Sequence, residues 1–175
     1  MRLLEKNIEI MHDLLAIQHE RIAVYQVFMK YPVNDAAVYK VFKLMADRSR
    51  HCLFELRSHI TTICDPASRL EVKGEIYSSW PGMKYFGPDS SPADILSCCE
   101  HNEERTANAY QRALEMKEEL CTELRDLLDG QLQLIQRSFE FIQLQKEKPL
   151  EPAATMEERI PFLFSRGYAY ESIPA

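Results

Sequence analysis

The sequence predicts an all-α protein, organised as a four-helix bundle with one long crossover between its second and third helices. Glycine occurs only 5 times in 175 residues, and most of the chain is rich in the good helix formers Leu, Glu, Gln, Arg and Ala. Apolar residues recur at alternating steps of three and four along four stretches, as on the inward face of an amphipathic helix. A long segment with four prolines separates the second stretch from the third.

A hairpin of two helices is predicted at the start of the chain. The first helix covers residues 3–30 and the second covers residues 36–64. Pro32 ends the first helix, and Asn34 or Asp35 can cap the second. The break is short, so the two helices are predicted to pack antiparallel. The inward side of the first helix is predicted to carry Leu4, Ile8, Met11, Leu15, Gln18, Ile22, Tyr25 and Met29.

Residues 65–92 are predicted to cross the length of the bundle. Two helices that pack as a hairpin need only a short connection, whereas two parallel neighbours need a long one. A short helix over residues 72–80 is predicted to pack onto the bundle within this crossover. Ser91 then reads as the cap of the third helix, predicted over residues 92–117, and the fourth helix follows over residues 118–146.

The two ends of the chain differ in kind. Residues 1–147 are predicted to form one bundle domain, and residues 148–175 a C-terminal tail with four prolines and several aromatic side chains. This tail is too apolar for a solvated disordered segment, so we expect it to pack on the bundle or on a partner subunit. A homo-oligomer is the predicted assembly.

Composition excludes several classes of function. The net charge is −6, and no run of basic residues with interleaved aromatics is present, which argues against nucleic-acid binding. No apolar stretch is long enough to span a bilayer, and the N-terminus does not resemble a secretory signal. Five cysteines without a C-x-x-C spacing disfavour zinc ribbons and disulfide frameworks. We therefore predict a cytoplasmic protein without membrane contact.

Each predicted helix carries one polar residue near the middle of its inward face. A buried carboxylate such as Glu103 costs several kcal/mol unless something pairs with it. Amide, hydroxyl and carboxylate groups that meet at one level can satisfy each other as a connected network, and Tyr25 and Tyr110 can each donate a hydroxyl. This predicted polar core layer consists of Gln18, Ser49, Glu103 and Gln131.

A metal site is the alternative use of the same core. A di-iron bundle needs a Glu from each of two helices and a Glu-x-x-His motif from each of the other two. The fourth helix has no His, so the ligand set is incomplete. Iron or manganese would be the cofactor under this alternative. The candidate ligands are Glu103, Glu20, Glu55, Glu100 and His51.

Two further chemistries are left open by the sequence. His51, Glu55 and His59 follow each other at steps of four, a spacing at which two histidines on one helix face can hold zinc. Cys98 and Cys99 form a vicinal pair, of which one thiol is expected to be buried and one exposed, and this pair makes a redox-responsive module a third class of function.

Several motifs together resemble a bacterial family of ferritin-like four-helix-bundle proteins that is catalogued as a domain of unknown function. The likeness covers residues 4–144, and it implies the bundle with a long second crossover but no established activity. Asn102 stands where the family usually has Gly, and Phe139-Glu140 stands where it often has His-Asp. The matching pieces are Gln18-His19-Glu20 with Tyr25, Ala46-Asp47-Arg48-Ser49 with Glu55-Leu56, Gly74 with Trp80, Cys99-Glu100-His101-Asn102-Glu103-Glu104 with Ala109-Tyr110, and Gln131.

The function predicted from these observations is that of a non-enzymatic ferritin-like bundle with a stress-related or an interaction and assembly role. The first alternative is a di-iron or di-manganese carboxylate protein with oxidase or storage activity. The second alternative is a thiol-based redox-responsive module.

Overall fold

A computed structural model of the chain describes residues 2–33, 35–63 and 73–147, and it is all-helical over these ranges. None of the described helices combines the length and the apolar content that crossing a bilayer requires. The helices are α1 (Arg2–Phe28), α2 (Ala36–Ile63), the short α3 (Glu75–Ser79), α4 (Pro92–Glu115) and α5 (Thr122–Glu147), with one 3-10 turn (Lys117–Glu119) before α5.

The starts of α2 and α4 are set by local capping chemistry. Asp35 Oδ1 accepts the backbone N–H groups of Ala37 and Val38 at 2.8 and 3.0 Å. Ser91 Oγ accepts the N–H of Asp94 at 3.2 Å, and the Asp94 carboxylate accepts the N–H of Ser91 at 3.1 Å, which completes a capping box. These bonds satisfy backbone donors that a helix start otherwise leaves unpaired, and they confirm the predicted Ser91 cap.

Some predicted boundaries are wrong. The crossover helix is only Glu75–Ser79, and α5 starts at Thr122 because a 3-10 turn precedes it. Leu4, predicted to face inward, is 45% exposed. Residues 64–72 of the crossover and the tail at 148–175 lie outside the described residues.

Contacts between side chains give the directions of the four long helices. His19 of α1 lies 2.9 Å from Arg57 of α2, and the rings of Phe28 and Phe42 lie 5.4 Å apart, so α1 and α2 run antiparallel. Helices α2 and α5 are antiparallel as well, since Arg48 bonds Ser138 while Glu55 bonds Gln131.

Helix α4 runs antiparallel to α1. Asn7, near the start of α1, donates to the carbonyl of Glu119 at 2.6 Å, beyond the end of α4, while Arg21 reaches Glu103 near the middle of α4. Helices α2 and α4 therefore point the same way, and the chain must return along the whole assembly between them. This is the physical reason for the long crossover.

The described part of the crossover runs alongside α1. The buried Asp13 carboxylate accepts the N–H of Gly74 at 2.7 Å and the N–H of Tyr77 at 2.9 Å, so a side chain of α1 caps the start of α3. Farther along, Phe86 packs on Phe28 with ring centroids 4.5 Å apart. The crossover thus covers one side of the central layer from Asp13 to Phe28.

Candidate functional site

Glu103 lies at the centre of the helices, where the sequence places it, and it is fully buried. Arg21 of α1 is also fully buried and donates from Nη2 to Glu103 Oε2 at 2.6 Å. The Tyr25 hydroxyl donates to Glu103 Oε1 at 2.9 Å. Both carboxylate oxygens therefore have a partner, and one of these partners carries the compensating positive charge.

A directed series of hydrogen bonds continues from Arg21. Its Nη1 donates to Gln18 Oε1 at 2.8 Å, and Gln18 Nε2 donates to the Tyr110 hydroxyl at 2.8 Å. Tyr110 donates in turn to Gln131 Oε1 at 2.8 Å. These bonds link helices α1, α4 and α5 through the interior. We call these residues the core network: Gln18, Arg21, Tyr25, Glu103, Tyr110 and Gln131.

The core network reaches the surface between α2 and α5. Gln131 Nε2 donates to the Cys52 carbonyl at 3.1 Å and to Glu55 Oε2 at 2.9 Å. Glu55 is half-buried, and its other oxygen lies 3.4 Å from Nε2 of the exposed His51. Both protons of the Gln131 amide group are thereby used, which fixes the orientation of this side chain.

Burial and charge act together on the titratable members of the core network. Burial opposes the charged form of Arg21, but the adjacent Glu103 carboxylate outweighs this and leaves the pKa of Arg21 above its ordinary value. Burial, followed by Glu103, raises the pKa of Tyr25 well above 10.0, and burial also raises the pKa of Tyr110. Both phenols therefore stay protonated near neutral pH and donate the hydrogen bonds observed.

Arg21 is the central residue that the sequence analysis missed. Its predicted neighbours on the inward face were Gln18, Ile22 and Tyr25, but Ile22 is only half-buried while Arg21 is completely buried. A usable signal existed, because Arg21 follows Gln18 by three residues and precedes Tyr25 by four. Arg21 Nε has no hydrogen-bond partner among the described residues, so part of its desolvation is uncompensated.

The fourth member of the predicted polar core layer behaves differently. Ser49 is buried, but its hydroxyl donates to the Met45 carbonyl of its own helix at 2.7 Å. This back-bond satisfies the hydroxyl without a partner from another helix. On α2 the link to the core network therefore runs through the Cys52 carbonyl and Glu55 instead.

The structure does not bring Glu20 or Glu100 to Glu103. Glu20 turns toward the crossover and accepts from the Tyr77 hydroxyl at 3.3 Å and from the Met83 N–H at 3.4 Å. Glu100 turns outward and accepts from Lys146 Nζ at 2.5 Å. Each of these carboxylates therefore holds its own local contact at the edge of the helices.

The residues present do not fit the pair of metal ions that a ferritin-like fold implies. In the described ranges no three side chains among His, Cys, Asp and Glu are grouped as metal ligands. Beside Glu103, where a cation would have to bind, stands the Arg21 guanidinium, and Tyr25 occupies the remaining oxygen. His51, the candidate nitrogen ligand, is exposed and contacts Glu55, while the third residue of its stripe, His59, is half-buried.

Asn102 holds part of the crossover against α4. Its Oδ1 accepts the N–H of Lys84 at 2.7 Å, and its Nδ2 donates to the carbonyl of Lys84 at 2.9 Å. Arg105 adds a bond to the carbonyl of Gly82 at 3.0 Å. The crossover is therefore clamped onto α4 beside the core network.

The vicinal thiols differ from the prediction. Cys98 and Cys99 are both buried, because the crossover covers Cys98 and the Lys84 carbonyl lies 3.4 Å from its sulfur. Burial raises the pKa of both thiols, and it raises the pKa of Cys52 to about 12. Since the thiolate is the reactive form of cysteine, these environments disfavour reaction at neutral pH.

Comparison of this chain with protein-family models, with curated proteins and with solved structures finds no significant match.

Proposed function

We propose that this chain is a ferritin-like four-helix bundle that is non-enzymatic, holds its centre with its own side chains instead of metal ions, and acts as an interaction and assembly protein. The helix directions support the fold. Helices α1 and α2 form one antiparallel pair, α4 and α5 form another, and the crossover joins two helices of the same direction. This is the up-down-down-up order with one long connection that ferritin-like bundles use.

The observation that carries the proposal is the position of Arg21. A di-metal bundle neutralises its buried carboxylates with cations, and here a guanidinium does so for Glu103. A buried carboxylate already paired with Arg and bonded to a Tyr offers little affinity to a metal ion, because binding would first break both contacts. The buried pair therefore serves to fix the packing of the helices and to stabilise the fold. The function is then carried by exposed residues.

The surface and the thiols support an assembly role in a reducing compartment. Several large apolar side chains remain exposed, above all Phe54 of α2, whose side chain is 68% exposed. The thiols of Cys52, Cys98 and Cys99 are free, as is expected of a cytoplasmic protein. A homo-oligomer that forms through an exposed helix face in a reducing compartment agrees with the exposed apolar side chains and with the free thiols.

The effect of metal ions on the stability of the protein tests this proposal. Urea unfolding is followed on untagged protein in a chelator and again with iron(II), manganese(II) or zinc(II). A ligand present at a hundred times its dissociation constant adds about 2.7 kcal/mol to the free energy of unfolding, so a resident metal would shift the midpoint clearly. We expect no shift. A metal-dependent shift that is absent from Glu103→Gln, but present in the surface control Glu115→Gln, would overturn the proposal.

A further inference from the structure

Helix α2 presents a basic outer face in an acidic protein. It carries five Lys and Arg against two Asp and Glu, whereas the whole chain has 21 against 27. The outward positions recur at steps of three and four, which collects residues that are scattered along the sequence onto one stripe. This stripe is made of Lys40, Lys43, Asp47, Arg50, Phe54 and Arg57, all of them exposed.

Phe54 projects from the middle of this stripe. Arg50 lies one turn before it and Arg57 one turn after it, so three exposed side chains follow one another along the helix. Arg57 Nη2 also lies 2.9 Å from His19 Nε2 of α1. Arg50 forms a surface pair with Asp47 at 2.8 Å, but a pair of this kind contributes little and breaks readily. An aromatic side chain flanked by arginines is the composition of an interface hot spot.

A groove of about 460 Å³ with the complementary character lies between α4 and α5. Its lining is mixed: Ala107, Ile135 and Phe139 provide apolar surface, amide side chains and the buried Glu103 provide polar surface, and the exposed Glu104 and Glu140 add two carboxylates. Its volume has room for one phenyl ring, and the two exposed carboxylates are available to cations that accompany such a ring.

We propose that Phe54 of one copy of this chain enters the groove between α4 and α5 of a second copy, with Arg50 and Arg57 against the Glu104 and Glu140 carboxylates. The inference rests on the proposed assembly function and names its partner. Helix α2 packs chiefly on α1, and α4 packs chiefly on α5, so the stripe and the groove lie on different sides of the bundle. One pair of copies therefore cannot satisfy both contacts through a two-fold axis, and the association is head-to-tail.

The available area suits a reversible contact. The stripe runs from Lys40 to Arg57 of α2 and is about 26 Å long at 1.5 Å per residue. With a face about 20 Å wide, roughly 500 Å² is offered by each copy, which is less than the usual contribution of one partner to a stable interface. The association is therefore expected to be weak and to depend on concentration.

A second copy is a better occupant for the stripe than a nucleic acid. The whole chain carries a net charge of −6, which repels a polyanion, and the stripe includes the acidic Asp47. The groove on this same chain, by contrast, supplies carboxylates for the Arg side chains and apolar surface for the Phe54 ring.

The first test is the molar mass of the full chain in solution, measured by sedimentation velocity over a wide range of concentration. We expect the mass to rise beyond a dimer as concentration increases, and to fall when salt screens the charge pairs. A protein that stays monomeric throughout would overturn the inference. The metal-linkage experiment is independent of this result, so the two proposals fail separately.

Two complementary variants give a sharper test. Phe54→Ala removes the ring but keeps the groove, and Glu104→Arg/Glu140→Arg reverses the rim but keeps the ring. Each variant alone is expected to associate at least tenfold more weakly, equivalent to about 1.4 kcal/mol. Mixed together, the two variants are expected to form a one-to-one dimer, in which the stripe of the Glu104→Arg/Glu140→Arg copy binds the groove of the Phe54→Ala copy. No larger assembly is expected, because only the altered stripe and the altered groove remain free on this dimer.

Controls separate this contact from misfolding and from other partners. Circular dichroism checks that both variants keep the helicity of the wild type, and Tyr39→Ala, another exposed aromatic of α2, is expected to associate normally. A mixture of the two variants that remains monomeric would overturn the inference. So would duplex DNA that binds the wild type but not Phe54→Ala, because the stripe would then be a nucleic-acid surface.

Discussion

Arg21 and Glu103 form a fully buried ion pair, 2.6 Å between Nη2 and Oε2, that joins the first and third long helices at the centre of the molecule. The two residues are 82 positions apart in the chain. Because Tyr25 donates to the other Glu103 oxygen and Gln18 accepts from Arg21 Nη1, the pair forms one hydrogen-bonded unit with its surroundings instead of two isolated charges.

Breaking this pair is expected to be more damaging than replacing it. Glu103→Gln leaves the Arg21 charge buried without a counter-ion and should lower the free energy of unfolding by about 3–5 kcal/mol. The double variant Arg21→Met/Glu103→Leu removes both charges and should recover most of that loss. Urea unfolding of the two variants checks this, with Glu115→Gln, an exposed position of α4, as the control. Equal stability of Glu103→Gln and the wild type would show that the pair is not formed.

Alkaline pH is expected to unfold the protein through its buried thiols and phenols. The folded pKa of Cys52 is raised from 9.0 to about 12, that of Cys99 is raised well above 9.0, and those of Tyr25 and Tyr110 are raised well above 10.0. The folded state therefore binds more protons than the unfolded chain above pH 9, so stability decreases as pH rises.

Each such group contributes up to about 1.4 kcal/mol per pH unit to this slope. Urea midpoints should be level from pH 7 to 9, fall above pH 9 and fall more steeply above pH 10. The variant Tyr25→Phe removes one titrating group, so its urea midpoint should fall less steeply with pH, although it is less stable than the wild type at neutral pH. A midpoint that is flat to pH 11 would contradict the burial of these side chains.

Replacement of two glycines by alanine is expected to change the stability in opposite directions. At Gly74 an added Cβ would lie 2.6 Å from the Asp13 carboxylate and 2.6 Å from Cγ of Glu9, so Gly74→Ala should destabilise by about 1–3 kcal/mol. At Gly130, inside α5, an added Cβ meets nothing within 4 Å, so Gly130→Ala should stabilise by roughly 0.5–1 kcal/mol. Thermal unfolding of both variants distinguishes them by the sign of the shift.

Asn102 is expected to control the order of the crossover. In Asn102→Ala the Lys84 peptide loses both of its bonds to the amide, a loss of about 1–2 kcal/mol. Hydrogen exchange at the Lys84 amide should accelerate at least tenfold, while amides in α5 keep their protection. Asn108→Ala, an exposed position on the same helix, is the control. Unchanged exchange at Lys84 would argue that the clamp is not formed.

Local signals in the sequence predicted the helices well and the core network only in part. Helix starts at Asp35 and Ser91 follow from cap chemistry that acts within three residues, and such chemistry is readable from the chain itself. Glu103 and Tyr110 were assigned to the inward face by spacing alone. Ser49 was assigned to the same layer, but a bond to its own helix satisfies it, which spacing does not reveal.

The features that were missed depend on other parts of the fold. Arg21 is absent from the predicted inward face, since arginine is rarely buried, and only its contact with Glu103 of another helix makes its burial favourable. The prediction that one thiol of the vicinal pair is exposed is wrong, because the crossover covers Cys98. In both cases the deciding partner lies on a separate segment of the chain.

Metal content is the most direct measurement of the central claim, that a guanidinium takes the place of a metal ion beside Glu103. Untagged protein is expressed with iron, manganese and zinc in the medium and analysed for its elements after purification. We expect well under one metal per chain, with the same content in Glu103→Ala. About two metals per chain, lost in Glu103→Ala, would contradict it and make the central layer a di-metal site.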